Sequence, residues 1–186
     1  MPKIFVVRHG QDTDNVKQIL NGHHDTDLTD LGREQAKQTA QKLEREMIDI
    51  VYVSPLKRCV ETARIITEHL HLPEAEVMPD LIERDFGVFT QKPSADIRKL
   101  SDDYIITDKV DYFLTGEGVE QFPVAYERAR EVLDFVEHKH PDENVLLVTH
   151  GDFGKMIRAA FFGWTWQEGL MTPYFANSEI IVLERE

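Results

Sequence analysis

Ile4-Phe5-Val6-Val7-Arg8-His9-Gly10 decides the fold, together with an echo of it far along the chain, Val145-Leu146-Leu147-Val148-Thr149-His150-Gly151. In each, an apolar run long enough for one strand buried on both faces meets a polar residue and then His-Gly. Strands of this kind build parallel sheets, whose ligands sit in the crevice beyond the strands' carboxyl ends. Two histidines delivered to that edge can face one pocket. The glycine after each lets the backbone turn sharply and approach a ligand. Nothing around the two runs recurs, so they are not an internal repeat.

Outward from these runs, strands and helices alternate, which predicts an α/β fold with a largely parallel sheet. Residues 3–7, 49–53 and 144–148 read as strands, and 179–183 as a last strand suited to an edge. A first helix follows Thr29, with the stripe Ala36, Ala40, Leu43 and Met47. A second is expected to start at Ser54-Pro55, with Ser54 as N-cap and Pro55 as first helical residue. Its stripe is Cys59, Ala63, Ile66 and Leu70. A third spans residues 123–139, with Ala125, Ala129, Val132 and Val136 on one face. A fourth, 152–162, opens on a capping Asp152 and closes at Gly163. Residues 79–119 fit the alternation poorly and are read as an excursion, a small helical cap over the edge where the histidines lie. With no linker or composition break, residues 1–186 are expected to form one domain, a three-layer α/β/α sandwich.

Among the 186 residues, 41% are hydrophobic and 30% charged, ordinary values for a soluble globular protein. The apolar runs are too short to span a bilayer, and no signal-peptide pattern opens the chain. One cysteine, Cys59, excludes an intramolecular disulfide and suits a reducing cytoplasm, the expected location. The formal net charge of −13 argues against nucleic acid and anionic membranes as partners. Screening over about 8 Å at physiological salt still lets a concentrated cluster of Arg and His hold a small anion.

Arg8 directly follows four apolar residues, although Arg is seldom buried without a partner. Its planar fork suits phosphate, bonding two oxygens at once. Arg58 falls in the first turn of the second helix, at a strand's carboxyl end, where the helix dipole and the side chain both favour an anion. Glu83, in Leu81-Ile82-Glu83-Arg84-Asp85-Phe86-Gly87, reads by itself as a surface acid or a partner of Arg84. His69, His71, His138 and His140 close helices, where the dipole favours them. Pairs at i, i+2 do not share a helix face, so no metal site is expected there. His23 and His24 read as surface residues of a polar loop. No paired-cysteine zinc pattern and no P-loop is present.

With these residues in view, the chain resembles the histidine phosphatase superfamily, the phosphoglycerate-mutase-like enzymes. Arg8-His9-Gly10 matches the name-giving motif, with Asn15 at the expected offset. Gly22 through Asp25-Thr26-Asp27-Leu28-Thr29, Gly32 and Gln35-Ala36 look like the next block. Ser54-Pro55-Leu56, Arg58 and Thr62-Ala63 look like the one after. The Glu83 segment is similar to that holding the family's acid, and Thr149-His150-Gly151 to the second histidine motif. The resemblance implies that His9 attacks phosphorus and forms a phosphohistidine. It implies that Arg8, Asn15, Arg58, His150 and Gly151 hold the phosphoryl oxygens. It makes Glu83 the acid that protonates the leaving oxygen and then activates water. Gln11, Asn21 and Gly22 are expected at the substrate edge. No metal and no cofactor is implied, since arginine and histidine supply positive charge. The chain departs from the family at Asp12, where Thr or Ser is common, at Gly116-Glu117-Gly118, and at Thr90-Gln91.

The function expected on this ground is a phosphomonoesterase acting on a small phosphorylated substrate and releasing inorganic phosphate. A cofactor-dependent phosphoglycerate mutase is the alternative, kept open by Asp25-Thr26-Asp27-Leu28. Mutases usually carry a longer insertion than Glu83 to His150 allows. A catalytically silent phosphate- or protein-binding module is a third reading, opposed by the presence of both His9 and Glu83. The leaving group and the oligomeric state stay open.

Overall fold

The computed structural model describes residues 3–185. The chain runs β1 (Ile4–Arg8), α1 (Thr13–Lys17), α2 (Asp30–Leu43), β2 (Ile50–Val53), α3 (Lys57–Leu70), β3 (Glu76–Val77), α4 (Ile97–Leu100), β4 (Tyr104–Ile106), β5 (Asp111–Phe113), α5 (Phe122–Lys139), β6 (Val145–Thr149), α6 (Gly151–Phe162), α7 (Trp166–Leu170) and β7 (Ile180–Leu183). Five strands form one sheet in the order β3-β2-β6-β1-β7. All neighbours are parallel except β7, which runs antiparallel beside β1 at the edge.

Strand side chains alternate between faces, and this sorts the core into two halves. Phe5, Val7, Val51, Val53, Leu146 and Val148 pack with Ala40, Leu43, Cys59, Ala63 and Ile66 of α2 and α3. Val6, Tyr52 and Leu147 point the other way, against Ala129, Val132 and Val136 of α5 and Phe153 and Ile157 of α6. The result is a three-layer α/β/α architecture with a mostly parallel sheet. The chain leaves β1 toward the α2 face and leaves β6 toward the α6 face. A crevice therefore opens between the carboxyl ends of β1 and β6, as open α/β sheets place it.

Several local expectations shift. α2 stops at Leu43; Met47 lies beyond it, 79% exposed and at a positive φ of 45°. α3 begins at Lys57 with Leu56, which has no side-chain acceptor, in the N-cap position; the Ser54 hydroxyl, two residues earlier, accepts the Leu56 N–H at 3.4 Å and is engaged with His150 at 2.7 Å. Asp152 does not cap α6 either. His150 occupies the N-cap position, and Asp152 instead takes the Arg84 guanidinium at 3.0 Å. Gly163 does close α6, in the left-handed conformation. Residues 79–119 hold helical turns and α4, but also a two-stranded β4–β5 hairpin, so the cap is of mixed structure. It has a small core of its own, Phe86, Phe89, Ile97 and Phe113. Buried Arg84 lies over the rings of Phe86, Phe113 and Phe122, tying cap to α5. His140, read as bland, is buried between Tyr52 and Glu143.

Candidate active site

Registry places Arg8 opposite Thr149, so the residues that follow them, His9 and His150, emerge side by side. Their ring centroids are 5.2 Å apart in an edge-on arrangement. The turn after His9 requires glycine at two places. A Cβ on Gly10 would lie 2.3 Å from the Gly32 carbonyl oxygen, and a Cβ on Gly32 would lie 2.1 Å from that of Gln11. This contact seats the start of α2 against the His9 loop, and Thr62 Oγ1 accepts the Gly10 N–H at 3.0 Å.

The His9 ring is fixed through Nδ1, 2.7 Å from its neighbour's carbonyl, Gly10 O. A carbonyl only accepts, so Nδ1 carries the proton and Nε2 has a free lone pair. Burial first, then the Arg58 and Arg8 charges, hold the His9 pKa well below the usual histidine range. The same forces, with His9 itself, hold His150 well below that range. Both rings are neutral near pH 7 in this state. Between the two imidazoles and the two guanidinium groups, the standing positive charge is therefore that of Arg8 and Arg58, and His150 acts as a hydrogen-bonding group until an anion raises its basicity.

Arg8 donates from Nη1 to the Tyr174 hydroxyl at 2.8 Å and to Phe175 O at 2.7 Å. Arg58 is fully buried and spends its tips on His24 O and Gly22 O, both at 2.8 Å. The Nε atoms of both arginines are buried without a hydrogen-bond partner, although Arg58 Nε lies 3.5 Å from the Asp12 carboxylate. Two unspent guanidinium donors beside two neutral imidazoles form an anion-binding constellation, since such donors cost about 1–3 kcal/mol each when left unbonded.

Glu83 is buried at the amino end of α6. Oε1 accepts from the Arg84 and Phe153 backbone N–H groups at 2.9 and 3.0 Å, and Oε2 from that of Asp152 at 3.3 Å. Burial, then the Asp152 charge, push its pKa up in spite of the two closer bonds. Glu83 thus does not pair with Arg84 through charge; it takes only Arg84's backbone N–H.

A small pocket of about 110 Å³ is lined by Arg8, Asn15, Asn21, Glu83, Gly151 and Tyr174, among others. His9, Arg58 and His150 do not line it and are packed beside those that do, 2%, 0% and 0% exposed. Asn15 accepts from Asn177 at 2.9 Å through Oδ1. Asn21 donates to Asp12 at 2.6 Å. Gln11 stands further out, its side chain accepting from Thr29. Gly22 does not face the pocket; its carbonyl anchors Arg58. Asp12 is fully buried as N-cap of α1, and it too stays off the pocket wall. Sequence reasoning took Ser54 and Asp152 for helix caps only and assigned no role to Tyr174 or Asn177. His23, read as a surface residue, is exposed, and its Nε2 lies 2.8 Å from Glu83 O. Tyr174 and Asn177 come from the loop before β7, which carries no motif.

A three-layer α/β protein with paired histidines and arginines at the carboxyl ends of adjacent strands defines the class. The chain belongs to the histidine phosphatase superfamily, branch 1, whose sequence model matches residues 4–186. It is 35% identical over 153 residues to phosphoglycerate mutase-like protein 4 of Arabidopsis thaliana, covering 80% of this chain and 66% of that protein. It is 33% identical to the metal-independent phosphoserine phosphatase of the same plant, covering 80% and 64%. The uncharacterized phosphatase PhoE of Bacillus subtilis is 34% identical, with 81% and 72% covered. The chain thus spans about two thirds of the length of these relatives. In fold it is similar to the product of a Mycobacterium tuberculosis open reading frame, with a TM-score of 0.86 at 24% identity, covering 100% of this chain and 92% of that one.

Proposed function

We propose that this protein is a phosphomonoesterase that works through a phosphohistidine at His9. The observation that carries this reading is the His9 ring, locked through Nδ1 with Nε2 unprotonated, beside the two unspent guanidinium donors of Arg8 and Arg58. The Nε2 lone pair forms the N–P bond as the P–O bond to the leaving oxygen breaks. Glu83, whose pKa burial pushes up, gives that oxygen its proton. In the second half, Glu83 takes a proton from water, the water oxygen bonds phosphorus, and the N–P bond breaks. Charge on the transferring group is met by Arg8 and Arg58. Independence of metal is supported by that arrangement and by the relative named a metal-independent phosphoserine phosphatase.

Asp25, in the segment that keeps the mutase alternative open, accepts the Lys57 N–H at 2.8 Å and secures the start of α3. Rapid quench with a labelled phosphate ester is expected to trap an acid-labile, base-stable adduct on His9, with turnover unaffected by a chelator. Full turnover by His9→Ala, or activity restored only by added metal, contradicts the proposal.

A further inference from the structure

We propose that the ester taken by this site is the monophosphate of a neutral polyhydroxylated molecule, a sugar or polyol, a substrate class that rests on the phosphatase reading above. The inner pocket, at about 110 Å³, is small beside the roughly 300–1,000 Å³ of ligand pockets in general. It takes a phosphoryl group and little more. Its other charges are engaged: Asp152 with Arg84 at 3.0 Å, and Lys155 with the carbonyls of Leu170 and Thr172 at 2.7 and 2.9 Å. A leaving group must therefore extend outward.

Outward lies a second cleft of about 720 Å³ that shares Asn15, Ile19 and Tyr174 with the inner pocket. Its walls come from α1, the cap and the loop before β7, and they are rich in neutral hydrogen-bonding groups: Gln11, Gln18, Ser94, Thr107 and Asn177. Gln18 and Ser94 meet where the cap joins α1, the Ser94 N–H donating to Gln18 O at 2.9 Å. Gln18 is exposed and Ser94 half-buried on the cleft wall, and neither side chain makes a protein hydrogen bond among the described residues, so both are free for a ligand.

Charge decides between leaving groups. Arg98 is held by both oxygens of Asp111, at 2.6 and 3.2 Å, and with Lys109 and Asp108 also on the wall the cleft's lining carries two cations and two carboxylates, a formal balance of charge. A glycerate or amino-acid carboxylate finds no uncommitted cation excess there. A nucleobase finds a single aromatic ring among the described lining residues and no second ring to sandwich it. The cleft's aromatic residue, Tyr174, already carries the Arg8 guanidinium 5.4 Å from its ring centre and accepts a hydrogen bond from it. Hydroxyl groups match amides and a serine hydroxyl, which both donate and accept.

The test compares kcat/KM for glucose 6-phosphate and sorbitol 6-phosphate with that for phosphoserine, 3-phosphoglycerate and adenosine 5′-monophosphate, with p-nitrophenyl phosphate as a size-independent reference. The sugar and polyol esters are expected to lead by tenfold or more. Gln18→Ala and Ser94→Ala, both in accessible positions, are expected to lower kcat/KM for those esters roughly three- to tenfold more than for p-nitrophenyl phosphate, the effect of one neutral hydrogen bond. Hydrolysis of p-nitrophenyl phosphate with preference for phosphoserine, 3-phosphoglycerate or the nucleotide overturns this inference alone. So do equal losses on both substrates in the two variants. Failure to turn over any of these esters overturns the phosphatase reading and this inference with it.

Discussion

Arg58→Ala separates two jobs that one side chain performs. Its Nη atoms hold Gly22 O, which is buried, and His24 O, which is partly buried. A lost charge-assisted bond costs about 1.5–3 kcal/mol, and an orphaned buried carbonyl is the larger share of it. Counting Gly22 O in full and His24 O in part, because water can reach it, gives a loss of roughly 2–4 kcal/mol. At about 2–4 °C per kcal/mol for a chain of this size, Tm falls by about 4–16 °C. Phosphate binding loses one guanidinium contact, about 1.5–3 kcal/mol, which is roughly tenfold to a hundredfold in Kd. Arg58→Lys keeps the charge but lacks the fork that spans both carbonyls, so it should recover part of the affinity and little of the stability. Thermal unfolding and calorimetric titration with inorganic phosphate read the two effects separately. A lowered Tm with unchanged phosphate affinity would show that Arg58 is scaffold only, and an unchanged Tm would refute the carbonyl accounting.

Glu83→Gln removes the proton donor, and general acid catalysis contributes about 10²–10⁴-fold. Transient kinetics should show that loss in phosphoryl transfer from an alkyl phosphate and a much smaller one from p-nitrophenyl phosphate, whose phenolate leaves unaided; equal losses would move the role elsewhere. Because burial raises the Glu83 pKa in the folded state, the folded protein binds that proton more tightly than the unfolded one. The contribution of Glu83 to stability therefore falls as pH rises from the ordinary carboxylate range through the raised value. Tm profiles should show this decline in the wild type and not in Glu83→Gln, and parallel profiles would count against it. Gly32→Ala places a Cβ 2.1 Å from Gln11 O, forcing α2 away from the His9 loop. It should lower both Tm and turnover well beyond Gly163→Ala, where the space is open and only the left-handed backbone is penalised, by about 1–2 kcal/mol; similar effects would show that the contact yields freely.

The sheet was legible because its signal is local. Four apolar residues before Arg8 and four before Thr149 can only be buried strands, and the stripes of α2, α3 and α5 follow the helical period. His9, Arg58 and His150 could be placed from their positions at strand and helix ends, and the family motif drew Glu83 and Asn15 in with them. What the sequence could not supply were relations between distant positions. Ser54 reads as a cap until β2 and β6 lie side by side, when His150 claims its hydroxyl. Asp152 reads as a cap until the chain returns Arg84 to it. Tyr174 and Asn177 sit in an unpatterned loop, and only the antiparallel return of β7 beside β1 sets them against Arg8 and Asn15. Hydrophobic periodicity is carried by neighbours in sequence and is written along the chain. The partner of a buried polar group is chosen by whichever donor or acceptor the folded backbone brings within about 3 Å, and that choice belongs to the tertiary structure.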